Sequence, residues 1–146
     1  MSNGEMLNRM LVLATNAHAG QFDKGGKPYI LHPLKVMHML RSDDEELNCI
    51  ALGHDLIEDT KIAISELHTN FSDRIVKGIA NLTKFKGESY EKYIDNILRN
   101  RDAIQVKMCD LRHNSDLRRL RGVTQKDLER VGRYCAFYKV LEEALK

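Results

Sequence analysis

From residue 5 onward, apolar positions recur every three or four residues, the spacing of one face of an α-helix. Met6, Leu7, Met10, Leu11, Ala14 and Ala17 predict a first helix over residues 5–19. The next stretch, GQFDKGGKPYILH at 20–32, breaks the pattern with three glycines and Pro28 and reads as a loop. Pro33 suits the first turn of a helix, where its missing N–H costs nothing, and that helix runs to about Leu40. A helix over 44–58 follows, with Asp43 or Asp44 as its cap. Ser65 opens a short helix, and Ser72 caps one that ends near Leu82 with Ile75, Val76 and Ile79 inside. Residues 88–99 and 101–115 repeat the helical period. Thr124 begins the last helix, whose inner face is read as Leu128, Val131, Cys135, Tyr138 and Leu141. Strand-like alternation is confined to KIAI at 61–64. The pattern predicts an all-α fold, one domain over residues 1–146 with roughly six to eight helices.

Composition narrows the class. The chain has 146 residues, 42% hydrophobic and 30% charged, enough to bury a core. No apolar run nears the roughly 20 residues of a membrane span, and the N-terminus lacks the pattern of a secretory signal. Cys49, Cys109 and Cys135 are far apart and form no CxxC pair, as expected of free buried thiols in a reducing, cytoplasmic compartment. A net charge of +2 argues against a nucleic-acid polymer as partner. Oligomeric state is left open.

Chemistry concentrates in GHDLIEDT at 53–60. Leu47, Ile50, Ala51, His54, Asp55 and Glu58 fall on one helical stripe that is apolar at one end and His, Asp, Glu at the other. A solvated helix end would turn those charges outward. A carboxylate on the inner face needs a partner, and acids sit poorly against the negative end of a helix dipole. The helix over 101–115 repeats the device: Ala103, Val106, Asp110 and Asn114 share a face, and Asp110 sits among Met108, Cys109 and Leu111. His32 is held between Leu31 and Pro33 with its backbone restricted by the proline. His32, His54, Asp55 and Asp110 together form an N2O2 set suited to a first-row divalent metal. His18, His38, His68 and His113 read as core or supporting histidines.

Three motifs in order, AHAGQFDKGGKPYILHP, GHDLIEDT and VKMCDLRHN, resemble the HD superfamily. More narrowly, they resemble the hydrolase domain of RelA/SpoT-type proteins and their stand-alone relatives, the small alarmone hydrolases. The resemblance covers residues 14 to about 120. It implies an all-helical fold, one divalent metal (commonly Mn2+), and hydrolysis of the 3′-pyrophosphate of ppGpp and pppGpp to pyrophosphate and GDP or GTP. It implies His32, His54, Asp55 and Asp110 as metal ligands and Glu58 and Asp59 as the acids that work on the attacking water. Asp59 also reads as a helix-end acid bonded to Thr60.

Lys24, Lys27 and the backbone of the glycine loop are candidates to meet phosphate; without the resemblance that segment is an ordinary loop. Tyr29 is either a base-stacking surface or core. Asn114 is a ribose or phosphate contact, and Arg112, beside the metal motif, is expected to hold the far diphosphate. Arg118, Arg119 and Arg121 read as a solvated face. Two departures fall on base recognition: Asp23 stands where many long relatives have arginine, and DLRHN replaces DRLHN. They leave open another nucleotide substrate, such as NADPH or a nucleoside phosphate, and a nucleotide sensor without turnover.

Overall fold

The computed structural model describes residues 3–146. They form α1 (Glu5–Ala17), α2 (Leu31–Leu40), α3 (Glu45–Gly53), α4 (Leu56–Asp59), α5 (Ile64–Asn70), α6 (Asp73–Asn81), α7 (Tyr90–Leu98), α8 (Arg101–Asn114), a single 3-10 turn η1 (Leu117–Arg119), and α9 (Gln125–Ala144). The first two residues of the expected domain lie outside the described part. Among the described residues the only β-pairing is a bridge between Phe22 and Pro28, so the all-α class holds. KIAI is not a strand; it leads into α5.

Helix starts follow cap chemistry. Asp44, Ser72, Ser89 and Thr124 each accept a backbone N–H three residues on, from Leu47, Ile75, Lys92 and Asp127. The helix expected over 44–58 is divided at His54–Asp55 into α3 and α4. The His54 ring bonds the Ala51 carbonyl at 2.6 Å, and its own backbone N–H also reaches back to Ala51. That side-chain bond competes with the helical ladder and turns the chain.

Six of the nine residues of α3 are buried, and α1, α2, α6 and α8 all pack on it. Contact with α6 is close on both sides. A Cβ on Gly78 would lie 2.5 Å from Ile50 Cδ1, and one on Gly53 would lie 2.7 Å from Ile79 Cδ1. At the far end, Arg74 of α6 donates to Asp44 (2.7 Å) and Asp102 (2.8 Å), tying α6 to the starts of α3 and α8.

The inner face of α9 differs from expectation. Phe137 and Leu141 are buried, with Tyr134 and Tyr138 packed beside them, while Leu128 and Cys135 are exposed. Helix α9 lies at the edge with α8 as its main neighbour, so a narrow stripe suffices and its period admits a rotated reading.

Candidate active site

Three chain segments bring the expected ligands together. His32 comes from the first turn of α2, His54 and Asp55 from the turn between α3 and α4, and Asp110 from α8. His32 Nε2 lies 2.8 Å from Asp110 Oδ1, and His54 Nε2 lies 3.3 Å from the same oxygen. Asp55 Oδ2 is 3.1 Å from His54 Nε2 and 3.8 Å from His32 Nε2. His32, His54 and Asp110 are almost fully buried.

The tautomer of His54 tests whether a cation fits. A carbonyl can only accept, so His54 Nδ1 carries the hydrogen toward Ala51. In the neutral ring, Nε2 is then a bare lone pair, facing oxygens of Asp55 and Asp110. Acceptors converging on acceptors need a positive centre between them, and this donor set fits a divalent cation. Asp110 is held well below the usual carboxylate range. Burial opposes its charge, but Lys107 and the two imidazoles outweigh burial. Without a cation, a proton on Nε2 serves as that positive centre, and His54 is raised well above the usual histidine range because Asp55 and Asp110 outweigh its burial.

Further side chains orient these groups. Tyr29 donates to Asp55 Oδ2 at 2.6 Å, Asn114 donates to Asp110 Oδ1 at 3.0 Å, and Lys107 Nζ sits 2.9 Å from Asp110 Oδ2. Lys107 also lies over the rings of Tyr93 and Phe137, which shield it from water. Its place three residues before Asp110 puts it on the same helical face, the sequence signal for this pairing. His113 Nδ1 lies 2.7 Å from His32 Nδ1; burial and the nearby Arg119 lower its pKa to about 4.

The other histidines divide. His18 is buried and donates to Gln21 Oε1, since the amide nitrogen of Gln21 is committed to the Asp59 carbonyl. His38 and His68, expected as core or supporting residues, are exposed.

Glu58 and Asp59 stand at the rim on α4. Glu58 accepts the backbone N–H of Lys84, pinning α4 to the segment after α6. Burial raises the Glu58 pKa; the Lys84 N–H works against that, and Asp55 and Asp59 add to it. Asp59 is raised by burial and by Asp55. Thr60 bonds the Leu56 carbonyl and not Asp59, so the helix-end pairing of Asp59 does not form.

A cleft of about 260 Å³ adjoins this cluster, and Tyr29 and Asn114 form the wall between them. Phe22, Asp23, Lys24 and Arg119 line it together with Arg130 and Tyr134 of α9. Helix α9 is therefore a wall of the cleft and not merely packing behind it.

Four expectations are revised here. Arg112 lies outside this cleft, in a separate basic hollow with Lys35, Arg41 and Arg118. Leu111 is buried, and the next position around the helix faces out. Arg119, read as solvated, is in the cleft: it bonds the His113 carbonyl (3.0 Å), Asn114 Oδ1 (3.2 Å) and Asp23 Oδ2 (3.4 Å). In the glycine loop the N–H groups of Asp23, Gly26 and Lys27 are spent inside the turn. Asp23 accepts Gly26 N on its carbonyl and Lys27 N on its side chain, and the Asp23 N–H goes to the Lys27 carbonyl. Gly25 is needed because a Cβ there would collide with the Arg119 carbonyl, and Gly26 because its φ is 87°. Lys27 is exposed and does not line the cleft.

The all-helical fold and the converging His–His–Asp cluster define a class. The model of the HD domain family matches residues 11–119, and the chain belongs to that family. Among curated relatives, guanosine-3′,5′-bis(diphosphate) 3′-pyrophosphohydrolase of Haemophilus influenzae is 34% identical over 116 residues, covering 70% of this chain and 17% of the relative. Bifunctional (p)ppGpp synthase/hydrolase SpoT of Escherichia coli is 31% identical over 121 residues, covering 74% and 17%. The chain thus spans less than a fifth of the curated relatives it matches. A solved structure described as a metazoan ortholog of SpoT that hydrolyzes ppGpp superposes with a TM-score of 0.79 at 24% identity. That match covers 100% of this chain and 88% of the other, and shows the shared fold.

Proposed function

We propose that the protein is a metal-dependent phosphohydrolase that removes the 3′-pyrophosphate of guanosine alarmones, ppGpp and pppGpp. The observation that carries this reading is the buried cluster of His32, His54 and Asp110, with Asp55 against it, beside a cleft of cationic and aromatic side chains. The names of the relatives supply the substrate.

His32, His54, Asp55 and Asp110 would hold the ion, with Mn2+ the proposed occupant. Once bound, such an ion polarises a phosphoryl oxygen and lowers the pKa of a water. The chain's own residues do the rest. Glu58, ionised, orients and deprotonates the attacking water, with Asp59 beside it. Lys24, Arg119 and Arg130 meet phosphate charge, Asn114 holds the ribose side, and Tyr29 and Tyr134 offer faces to the base. The water oxygen bonds to the phosphorus next to the 3′ oxygen, the P–O3′ bond breaks, and a proton ends on the 3′ oxygen.

The free thiols of Cys49, Cys109 and Cys135 support a reducing, cytoplasmic setting. Asp23 in the cleft favours a second reading, phosphohydrolysis of another nucleotide, NADPH included.

The test is to incubate purified protein and Mn2+ with ppGpp, pppGpp, NADPH and common nucleotides and to measure pyrophosphate and orthophosphate. Pyrophosphate from the alarmones alone is expected. Orthophosphate from another nucleotide supports the second reading. Tight alarmone binding without product would make the protein a sensor and overturn both.

A further inference from the structure

His32 is held at both ring nitrogens by one helix. Its Nε2 faces Asp110 of α8, and its Nδ1 meets His113 of α8, one turn further on. The planes of the His32 and His113 rings are within 10° of parallel, their centroids are 5.0 Å apart, and the two Nδ1 atoms are 2.7 Å apart. Rings cannot stack face to face with two atoms that close. Parallel planes therefore mean that the imidazoles lie edge to edge, in nearly one plane, joined by an N–H···N hydrogen bond.

Such a bond needs one bare nitrogen and one N–H, so the hydrogen must be assigned. A metal takes a bare imidazole nitrogen. His32 Nε2 faces the cluster and must be the bare one, which leaves the hydrogen on His32 Nδ1. His113 Nδ1 then accepts, and the His113 hydrogen sits on Nε2. That nitrogen belongs to the side chain lining the basic hollow of Lys35, Arg112 and Arg118, where it has no acid to stabilise a second proton except Asp116, itself bonded to Arg118.

We propose that His113 is a positioning residue of the metal centre: as a neutral imidazole acceptor, it fixes the tautomer and ring rotation of His32. Metal-bound histidines ordinarily donate to a carboxylate, carbonyl or water. Here the acceptor is a second histidine, on the same helix face as the ligand Asp110 and three residues beyond it. Helix α8 thus sets one ligand and aims another. This inference rests on the metal-site reading and not on the identity of the substrate.

The test uses metal alone. Co2+ affinity of the full chain is measured by competition with a chromogenic chelator, without nucleotide. His113→Leu is expected to bind about 10–100-fold more weakly than the wild type. His113→Asn, whose Oδ1 falls where Nδ1 lies, is expected to recover most of that loss. In the Zn2+-loaded wild type, histidine 15N spectra should place hydrogen on His32 Nδ1 and His113 Nε2; this measurement does not depend on how any variant folds. Equal Co2+ affinity in His113→Leu and wild type would overturn the proposal. So would His113→Asn binding as weakly as His113→Leu, or hydrogen on His113 Nδ1 in the Zn2+ form. A wild type that binds no Co2+ would overturn the metal-site reading itself, a result separate from these.

Discussion

Asp110 carries more contacts than any other group in the cluster: His32, His54, Lys107 and Asn114 all reach its two oxygens. Replacing it should leave Lys107 unpaired and Asp55 as the two imidazoles' remaining counter-charge. Asp110→Ala is expected to lose both metal retention, read by elemental analysis after gel filtration, and turnover. Glu58 belongs to a different task. Glu58→Gln should retain metal and lose roughly 10²–10⁴-fold in kcat, the range for removing a proton-transfer group. Burial raises the Glu58 pKa, with Asp55 and Asp59 adding to it against the Lys84 N–H. A base works ionised, so activity falls as pH drops through that raised value. The acid limb of kcat/KM should lie above about 4.3, the ordinary glutamate pKa; a limb at or below that value would remove Glu58 as the base. The residues of the cluster are legible in the sequence because they are acids and histidines on otherwise apolar faces. Lys107 does not stand out in the sequence, because a lysine near an acid on a helix is commonplace. The Arg112 and Arg119 assignments exchanged places because a run of arginines has no periodicity that tells which one turns inward.

Helix α3 is the element on which the site depends, since its C-terminal end carries His54 and leads into Asp55. Its position is set by contact too close for a side chain at Gly78, which faces the fully buried Ile50. Gly78→Ala brings a methyl against Ile50 Cδ1, Cγ1 and Cγ2 together, so no single rotamer change clears it. The expected loss is about 1–3 kcal/mol, the cost of overpacking a filled core, read as a lowered midpoint in urea unfolding. An unchanged midpoint would show that α3 and α6 can separate freely. Existence and order of the helices followed from period and caps. The division of residues 44–58 did not, because it depends on a side-chain bond from His54 to Ala51 that competes with an otherwise continuous pattern. The inward face of α9 was misread for a related reason: with α8 as its main neighbour, the helix buries too few residues for the period to mark which side faces in.

At the scale of the molecule, the cluster joins α2, the α3–α4 turn and α8, which are distant in sequence. A ligand that binds only the folded chain stabilises it by mass action, about 2.7 kcal/mol at a hundred times its Kd. Saturating Mn2+ should therefore raise Tm by roughly 5–10 °C over protein in chelator; no shift would deny a metal bridging these segments. The cleft sets a second comparison. Arg119 is tied to Asp23, Asn114 and the His113 carbonyl, whereas Arg112 points into another hollow. Arg119→Ala should raise KM for the alarmone about 10–100-fold, the weight of a charged hydrogen bond. Arg112→Ala should leave KM within about twofold, as for surface changes. The reverse order would return Arg112 to the site.

The helical class, the caps at Asp44, Ser72 and Thr124, and the acids and histidines that meet in the cluster can be read from the sequence, because period, cap chemistry and acids on apolar faces are local properties of the chain. The tertiary structure alone decided which arginine enters the cleft, that α9 walls it, and that His113 meets His32. Those outcomes depend on how distant segments pack and on which hydrogen-bonding groups are left facing one another, and no local pattern encodes that.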